Sequence, residues 1–203
     1  MTLQQFQAIW TQAAAKIAAR EAEYSRLDAA TGGDGDHGEA IVAATRALAA
    51  ARGTDFKALL SDMVAHLEAD VSGSTSSLYG TLFEGMADAV EAGTTELDAK
   101  ALAALFAAGL EELGFATKAK VGDKTFMDAL IPAVEALQAH AGEGEAAMFA
   151  AAAAAAKAGS EATAQMQAKF GRAKNLGARS IGPIDAGSAS NADLWACFAE
   201  GAV

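Results

Sequence analysis

Asp28, Asp34 and Asp36 stand close together in the stretch RLDAATGGDGDHGEA, in a glycine-rich turn just ahead of a helical pattern. Carboxylates at this spacing repel one another, and a hard divalent cation relieves the repulsion. Oxygen donors with no cysteine pair and a single histidine favour Mg²⁺ or Ca²⁺ over zinc. A solvated Asp-Gly turn with a helix cap is the plain alternative, and composition alone leaves both open. An EF-hand does not fit: counted from Asp34, the fifth position is Gly38 and the twelfth is Thr45, where a bidentate Glu belongs. Gly33, Gly35 and Gly38 formally spell G-x-G-x-x-G, but the run follows a helix instead of a strand and puts aspartates where a pyrophosphate would lie. No G-x-x-x-x-G-K-[ST] occurs. A phosphate can still bind through bridging Mg²⁺, helped by the free N–H groups of a helix start near His37 and Gly38.

Three further segments carry polar or charged groups outside the apolar pattern. In VSGSTSSLYGTLF a hydroxyl-rich loop feeds a helix, and its N–H groups with the Ser74 and Thr75 hydroxyls suit a phosphate or a base edge; a capping loop is the alternative. In AKVGDKTFMDAL, Asp123 is an N-cap candidate with Lys124 and Thr125 in the first turn, and capping accounts for it almost as well as function. In GRAKNLGARSIGPIDAGS, Arg172, Lys174 and Arg179 form the densest basic cluster of an acidic chain. Arginine offers paired donors to phosphate oxygens, and a charged surface loop is the alternative. His66 and His140 fall within helical patterns away from any carboxylate cluster, and Trp10 and Trp195 read as core.

The elements that must hold these groups are helices. Alanine makes up more than a quarter of the 203 residues and proline occurs twice, at Pro132 and Pro183. Three- and four-residue apolar spacing predicts eight helices. The first runs from the Thr2 cap to about Leu27, the second from Gly38 to Gly53, and the third follows Thr54 with Phe56, Leu59, Leu60, Met63, Val64 and Leu67 on one face. The fourth spans Leu78 to Ala92, the fifth follows Thr95 to Gly114, and the sixth runs from Asp123 to His140 with a kink at Pro132. The seventh fills Gly144 to Lys169, and the last carries Leu194, Trp195, Phe198 and Ala199. Short connections and the lack of a composition break give one domain over residues 1–203, an antiparallel all-α bundle whose loops gather on one rim.

Fifteen Lys and Arg against 26 Asp and Glu leave a net charge of −11, which argues against a nucleic-acid partner and against an anionic membrane surface. Cys197 stands alone, so no internal disulfide forms, and the start MTLQQFQAIW lacks a leader pattern. A cytoplasmic location is expected.

Taken together and in this order, LDAATGGDGDHG, GSTSSLYGTLF, GDKTFMDALIP and GRAKNLGARSIGPIDAG resemble the nucleotide-binding L subunit of dihydroxyacetone kinase over nearly the whole chain. The resemblance implies a closed barrel of eight antiparallel up-and-down helices, with ATP or ADP and two Mg²⁺ ions bound among the loops of one rim. It assigns the metal to Asp28, Asp34 and Asp36. It assigns the nucleotide to His37, Gly38, Ser74, Thr75, Thr117, Phe126, Arg172, Asp185, Ala186 and Gly187. Phosphoryl positioning falls to Asp34, Asp36 and Arg172. It further implies a phosphotransferase acting on a small ketose held covalently by a separate K-type sugar-binding subunit, and inactive without it. The donor is either exchanging ATP or a phosphohistidine phosphocarrier protein that recharges bound ADP, and a homodimer is compatible with this reading. A non-catalytic regulatory subunit that binds metal or nucleotide is the alternative from another class.

Three departures mark the chain. Five residues separate Asp28 from Asp34 where the family pattern has four, so Asp28 is expected to be the weaker ligand. The second loop is Gly73-Ser74-Thr75-Ser76-Ser77, without the proline common there. The last loop has Pro183 where histidine is common and Ala186 where proline is common; the three departures together allow a ketose other than dihydroxyacetone, and Ala186 with the proline-less second loop favours easier nucleotide exchange.

Overall fold

The computed structural model describes residues 1–202, and among them the regular structure is helical apart from one isolated bridge between Thr2 and Glu96. The helices are α1 (Leu3–Ala18), α2 (Glu21–Ala30), α3 (His37–Ala50), α4 (Phe56–Asp70), α5 (Ser74–Ala89), α6 (Ala99–Ala116), α7 (Met127–His140), α8 (Glu145–Ala162) and α9 (Ala186–Gly201). Short 3₁₀ turns cover Ala141–Glu143, Thr163–Gln165 and Arg172–Ser180. Thr2 caps α1 as expected, in a reciprocal box: Gln5 N–H donates to Thr2 Oγ1 (3.3 Å) and Thr2 N–H to Gln5 Oε1 (2.8 Å).

Several boundaries differ from the sequence pattern. The first predicted helix breaks at Ala19–Arg20, where Arg20 leaves helical geometry (φ −112°, ψ 9°). Its guanidinium reaches both Glu23 and Asp193 of α9, and Tyr24 OH donates to the same Asp193 carboxylate (2.6 Å). α5 begins at Ser74 instead of Leu78, and α6 begins at Ala99, capped by Asp98, instead of just after Thr95. α8 ends at Ala162 instead of Lys169, because the chain beyond it is drawn to the loop ahead of α7, where Lys169 N–H donates to the Asp123 carbonyl (3.1 Å).

α7 runs on through Pro132 to His140, the end that the sequence pattern gives it. Pro132 cannot donate to the Asp128 carbonyl one turn back. Gly159 of α8 packs against that free oxygen so closely that a Cβ would lie 1.9 Å from it.

In the order of packing, α1 and α2 share one place beside α3, each later helix packs on the next, and α9 returns to α1 and α2. Eight places therefore close into a ring. Its interior is aromatic: Phe6, Trp10, Phe83, Phe106, Phe149, Trp195 and Phe198 are buried, with neighbouring ring centroids 5.0–6.4 Å apart. Among the described residues no helix is long and apolar enough to cross a membrane.

Candidate functional site

The end of α2, the turn after it and the start of α3 bring the three aspartates together. Asp28, Asp34 and Asp36 each place one carboxylate oxygen within 4.8 Å of the others. The turn from Asp28 to Asp34 is closed by its own backbone. Gly32 and Gly35 adopt left-handed φ of 84° and 80°, and Gly35 N–H donates to Asp28 Oδ2 (2.8 Å). Gly33 lies against the Asp28 carboxylate, where a Cβ would fall 2.1 Å from Oδ1. Arg172 pairs with Asp34 across the rim and holds that carboxyl below the usual range, while Asp34 beside it pushes Asp36 up. The cluster is an oxygen-only donor set crowded with negative charge, which fits a hard divalent cation such as Mg²⁺.

Beside it opens a pocket of about 500 Å³. The connections that follow α2, α4, α6 and α8 all contribute to its wall, so alternate helix ends meet on one rim. The first residues of α3 (His37), α5 (Ser74, Thr75) and α9 (Ala186, Gly187) line it directly. Gly73, ahead of α5, supplies no side-chain cap to the first N–H groups of that helix, and it lines the pocket itself. Helix N-termini that converge in this way favour an anion.

The remaining wall is mixed. Thr117, Phe126, Tyr79 and Phe170 line one part, and the Tyr79 and Phe126 ring centroids lie 6.1 Å apart. His37 is half-buried; its Nε2 lies 2.9 Å from Ser190 Oγ, and burial pulls its pKa down. Asp185 caps α9 by accepting from Ser188 N–H (2.7 Å), and burial pushes its carboxyl up to about 7 against the pull of that bond and of Lys124.

The structure brings together all but one of the residues that the resemblance assigns to metal and nucleotide. Gly38 is outside the pocket wall: it lets α3 approach α2, since a Cβ there would sit 2.2 Å from the Glu21 carbonyl. Asp123 is not a helix cap. Its carboxylate accepts from Lys120 N–H (3.0 Å) and pairs with Lys169 (2.8 Å). α7 has no side-chain cap; Asp128 in its first turn ties down the preceding loop instead, with Oδ1 accepting from Gly122 N–H (2.6 Å) and Oδ2 from Thr125 N–H (2.7 Å). The T-x-x-D spacing of Thr125 and Asp128 is a capping-box signal that could have found it. Of the basic cluster only Arg172 reaches the pocket, while Lys174 and Arg179 are exposed outside its wall. Lys124, which the sequence marks only as a neighbour of the Asp123 cap candidate, lines the pocket as well.

The model of the DAK2 domain family matches residues 32–200. The chain is 34% identical over 166 residues to the ADP-binding subunit DhaL of PEP-dependent dihydroxyacetone kinase 2 of Listeria innocua, covering 78% of this chain and 76% of that one. It is 33% identical over 182 residues to the D-erythrulose kinase of Mycolicibacterium smegmatis, covering 86% of this chain and 31% of that enzyme. Among solved structures it superposes on the dihydroxyacetone kinase of C. freundii in complex with AMP-PNP and Mg²⁺ with a TM-score of 0.76 and 26% identity, covering 96% of this chain and 33% of that one. The chain thus spans about a third of these longer kinases and about three quarters of the separate subunit.

Proposed function

This chain belongs to the DAK2 domain family, and from that premise we propose that it is the nucleotide-binding subunit of a two-component kinase, passing a phosphoryl group to a small ketose held on a separate K-type subunit. The observation that carries the reading is the meeting of three carboxylates, Arg172 and the N-termini of α3, α5 and α9 at one pocket. Phosphoryl transfer asks a protein mainly for alignment and charge neutralisation, which this arrangement offers.

Asp28, Asp34 and Asp36 are the residues that would hold Mg²⁺, as two ions in the reading proposed here. When bound, the metal supplies positive charge to the phosphate oxygens. Arg172 adds a fixed cation at the same edge, and the N–H groups of Ser74, Thr75, Ala186 and Gly187 orient the phosphates. Tyr79, Phe126 and Phe170 give the pocket an apolar wall suited to a flat base.

The acceptor comes from outside, on a partner. Among the described residues the exposed large apolar side chains are Phe115, Val121, Phe170 and Ile181. All four lie on segments that border the pocket, which supports a protein partner closing over this rim. A cytoplasmic location goes with the reading. Mixing the chain with a K-type subunit, Mg-ATP and dihydroxyacetone or erythrulose tests it: turnover should require both proteins. Turnover of free ketose by the isolated chain, or nucleotide binding with no transfer in any mixture, overturns it.

Two donors fit the pocket. Ala186 and the serine-rich loop before α5 favour ready exchange of ATP, whereas the Listeria relative is described as a PEP-dependent, ADP-binding subunit. Extensive dialysis separates them. ADP that survives and cannot be replaced by ATP identifies the retained-ADP mode, and rapid loss with ATP-supported turnover identifies exchange.

A further inference from the structure

We propose that Lys124 is a positioning residue of this pocket: its ammonium clamps the end of α8 and the turn before α9 to the loop ahead of α7, and so fixes the start of α9 at the pocket wall. Lys124 is 3% exposed and lines the pocket. Its Nζ donates to the carbonyls of Thr163 (2.6 Å) and Pro183 (2.5 Å), residues 39 and 59 positions further along. Its backbone stands at φ 60°, and among the described residues it is the one non-glycine with positive φ.

Each of these features is unfavourable alone. A left-handed lysine is strained, and a buried ammonium gives up its hydration. Burial pulls its pKa down, while the nearby Asp185 and Asp128 carboxyls oppose that change. A glycine would serve the turn better if the turn were all that mattered. The lysine keeps both costs because its head group is the cross-link between three rim segments.

The loop ahead of α7 and the chain after α8 are also joined by Lys169 N–H on the Asp123 carbonyl (3.1 Å), and further bonds join the end of α8 to the turn before α9. Gly182 N–H donates to the Ala164 carbonyl (2.9 Å) and Asp185 N–H to Thr163 Oγ1 (2.9 Å). Asp185 then caps α9, whose next residues, Ala186 and Gly187, face the pocket. Removing the ammonium takes the donor from the Pro183 carbonyl, leaves the Thr163 carbonyl with Met166 N–H alone and Asp185 without its cation, and the segment from Gly182 to Ser188 loses its anchor. The consequence for ligand binding rests on the nucleotide reading above; the clamp itself does not.

Lys124→Met and Lys124→Arg test this by hydrogen exchange and by titration with Mg-ADP. In Lys124→Met the amides of Gly182, Asp185 and Ser188 should exchange at least tenfold faster, with those of α4 within twofold of the parent, and the Kd for Mg-ADP should rise at least tenfold. Lys124→Arg should recover part of both. Exchange within twofold at the three amides, or equal acceleration throughout the chain, overturns the clamp. Faster exchange with an unchanged Kd overturns its role in the pocket. Should the parent chain bind no Mg-nucleotide, the proposed function fails while the exchange data still decide the clamp.

Discussion

Two turns on the rim are built from the same residue types and do opposite things. The turn before α3 and the loop before α7 are both glycine-punctuated, both carry aspartates, and both open a helix. In the loop before α7, Asp128 is wholly buried and spends its two oxygens on the N–H groups of Gly122 and Thr125, while Asp123 is taken by Lys120 N–H and Lys169. In the turn before α3, Asp34 and Asp36 stay exposed and crowd one another, with Arg172 alone offsetting the charge. Asp28 stands between the two cases, with one oxygen on Gly35 N–H and the carboxylate still within the cluster. What separates scaffold from site is whether the chain itself satisfies the carboxylate. An aspartate that has its donors holds a fold, and one left with repulsion suits a cation.

The largest effect that sharpens this contrast is on binding. Asp34→Ala or Asp36→Ala should remove Mg-nucleotide binding, a loss beyond the roughly 10–100-fold typical of outer-shell changes, with a melting temperature equal to or above the parent's because repulsion is relieved. Asp28→Ala should lose binding to the same degree, since the turn brings its carboxylate to the other two. Calorimetry with Mg-ADP checks all three. Retained binding in Asp34→Ala and Asp36→Ala would break the contrast, and retained binding in Asp28→Ala alone would return Asp28 to the weaker role its spacing suggests.

Next comes the opposite experiment on the other turn. Asp128→Ala should destabilise the protein by about 3 kcal/mol or more, because two buried charge-assisted hydrogen bonds are lost. Thermal and denaturant unfolding report it. A change under about 1 kcal/mol would mean that the loop before α7 is held by something other than this carboxylate.

A third prediction concerns Asp185. Burial pushes its carboxyl up to about 7, so the folded state keeps a proton that the unfolded chain, with an ordinary carboxylate near about 3.9, has already lost. Its contribution to stability is therefore complete below about pH 4 and is lost as pH rises towards 7. Asp185→Asn keeps the cap on Ser188 N–H and cannot titrate. The stability of the parent relative to Asp185→Asn should fall across this window, and using the difference cancels His37, whose lowered pKa acts with the opposite sign. A flat difference between pH 4 and 7 would show that the carboxyl titrates normally.

The helices were legible because apolar spacing along an alanine-rich chain leaves little choice, and the site was legible because Asp28, Asp34, Asp36 and Arg172 are out of place in such helices. The misses share a cause. No local signal breaks AAAKIAAREAEY; the break follows from Arg20 reaching Asp193, 173 positions away. The end of α8 is set by contacts with the loop before α7, and Lys124 earns its place through carbonyls far along the chain. Gly38 fits a nucleotide-loop pattern, yet its neighbour is the Glu21 carbonyl. Residue types are readable locally, whereas which partner satisfies them is a tertiary fact.

The smallest predicted effect tests whether burial of one partner is enough to make an ion pair structural. Asp123 is buried and Lys169 is mostly exposed, with side-chain exposures of 4% and 58%. An exposed ammonium keeps its water and its freedom, so the pair should contribute no more than about 0.2–1 kcal/mol. The Asp123 carboxylate also retains the Lys120 N–H when the lysine is gone. Lys169→Ala should therefore lower stability by less than about 1 kcal/mol, several-fold less than Asp128→Ala, and leave Mg-ADP affinity within twofold. Lys169 Nζ also donates to the carbonyl of Gly122 (3.0 Å), the same residue whose N–H Asp128 holds. A loss comparable to that of Asp128→Ala would mean that the two contacts act as one unit and that the outer face of this loop is as much scaffold as its buried face. A double-mutant cycle of Lys169→Ala with Asp128→Ala decides between these, with additivity expected.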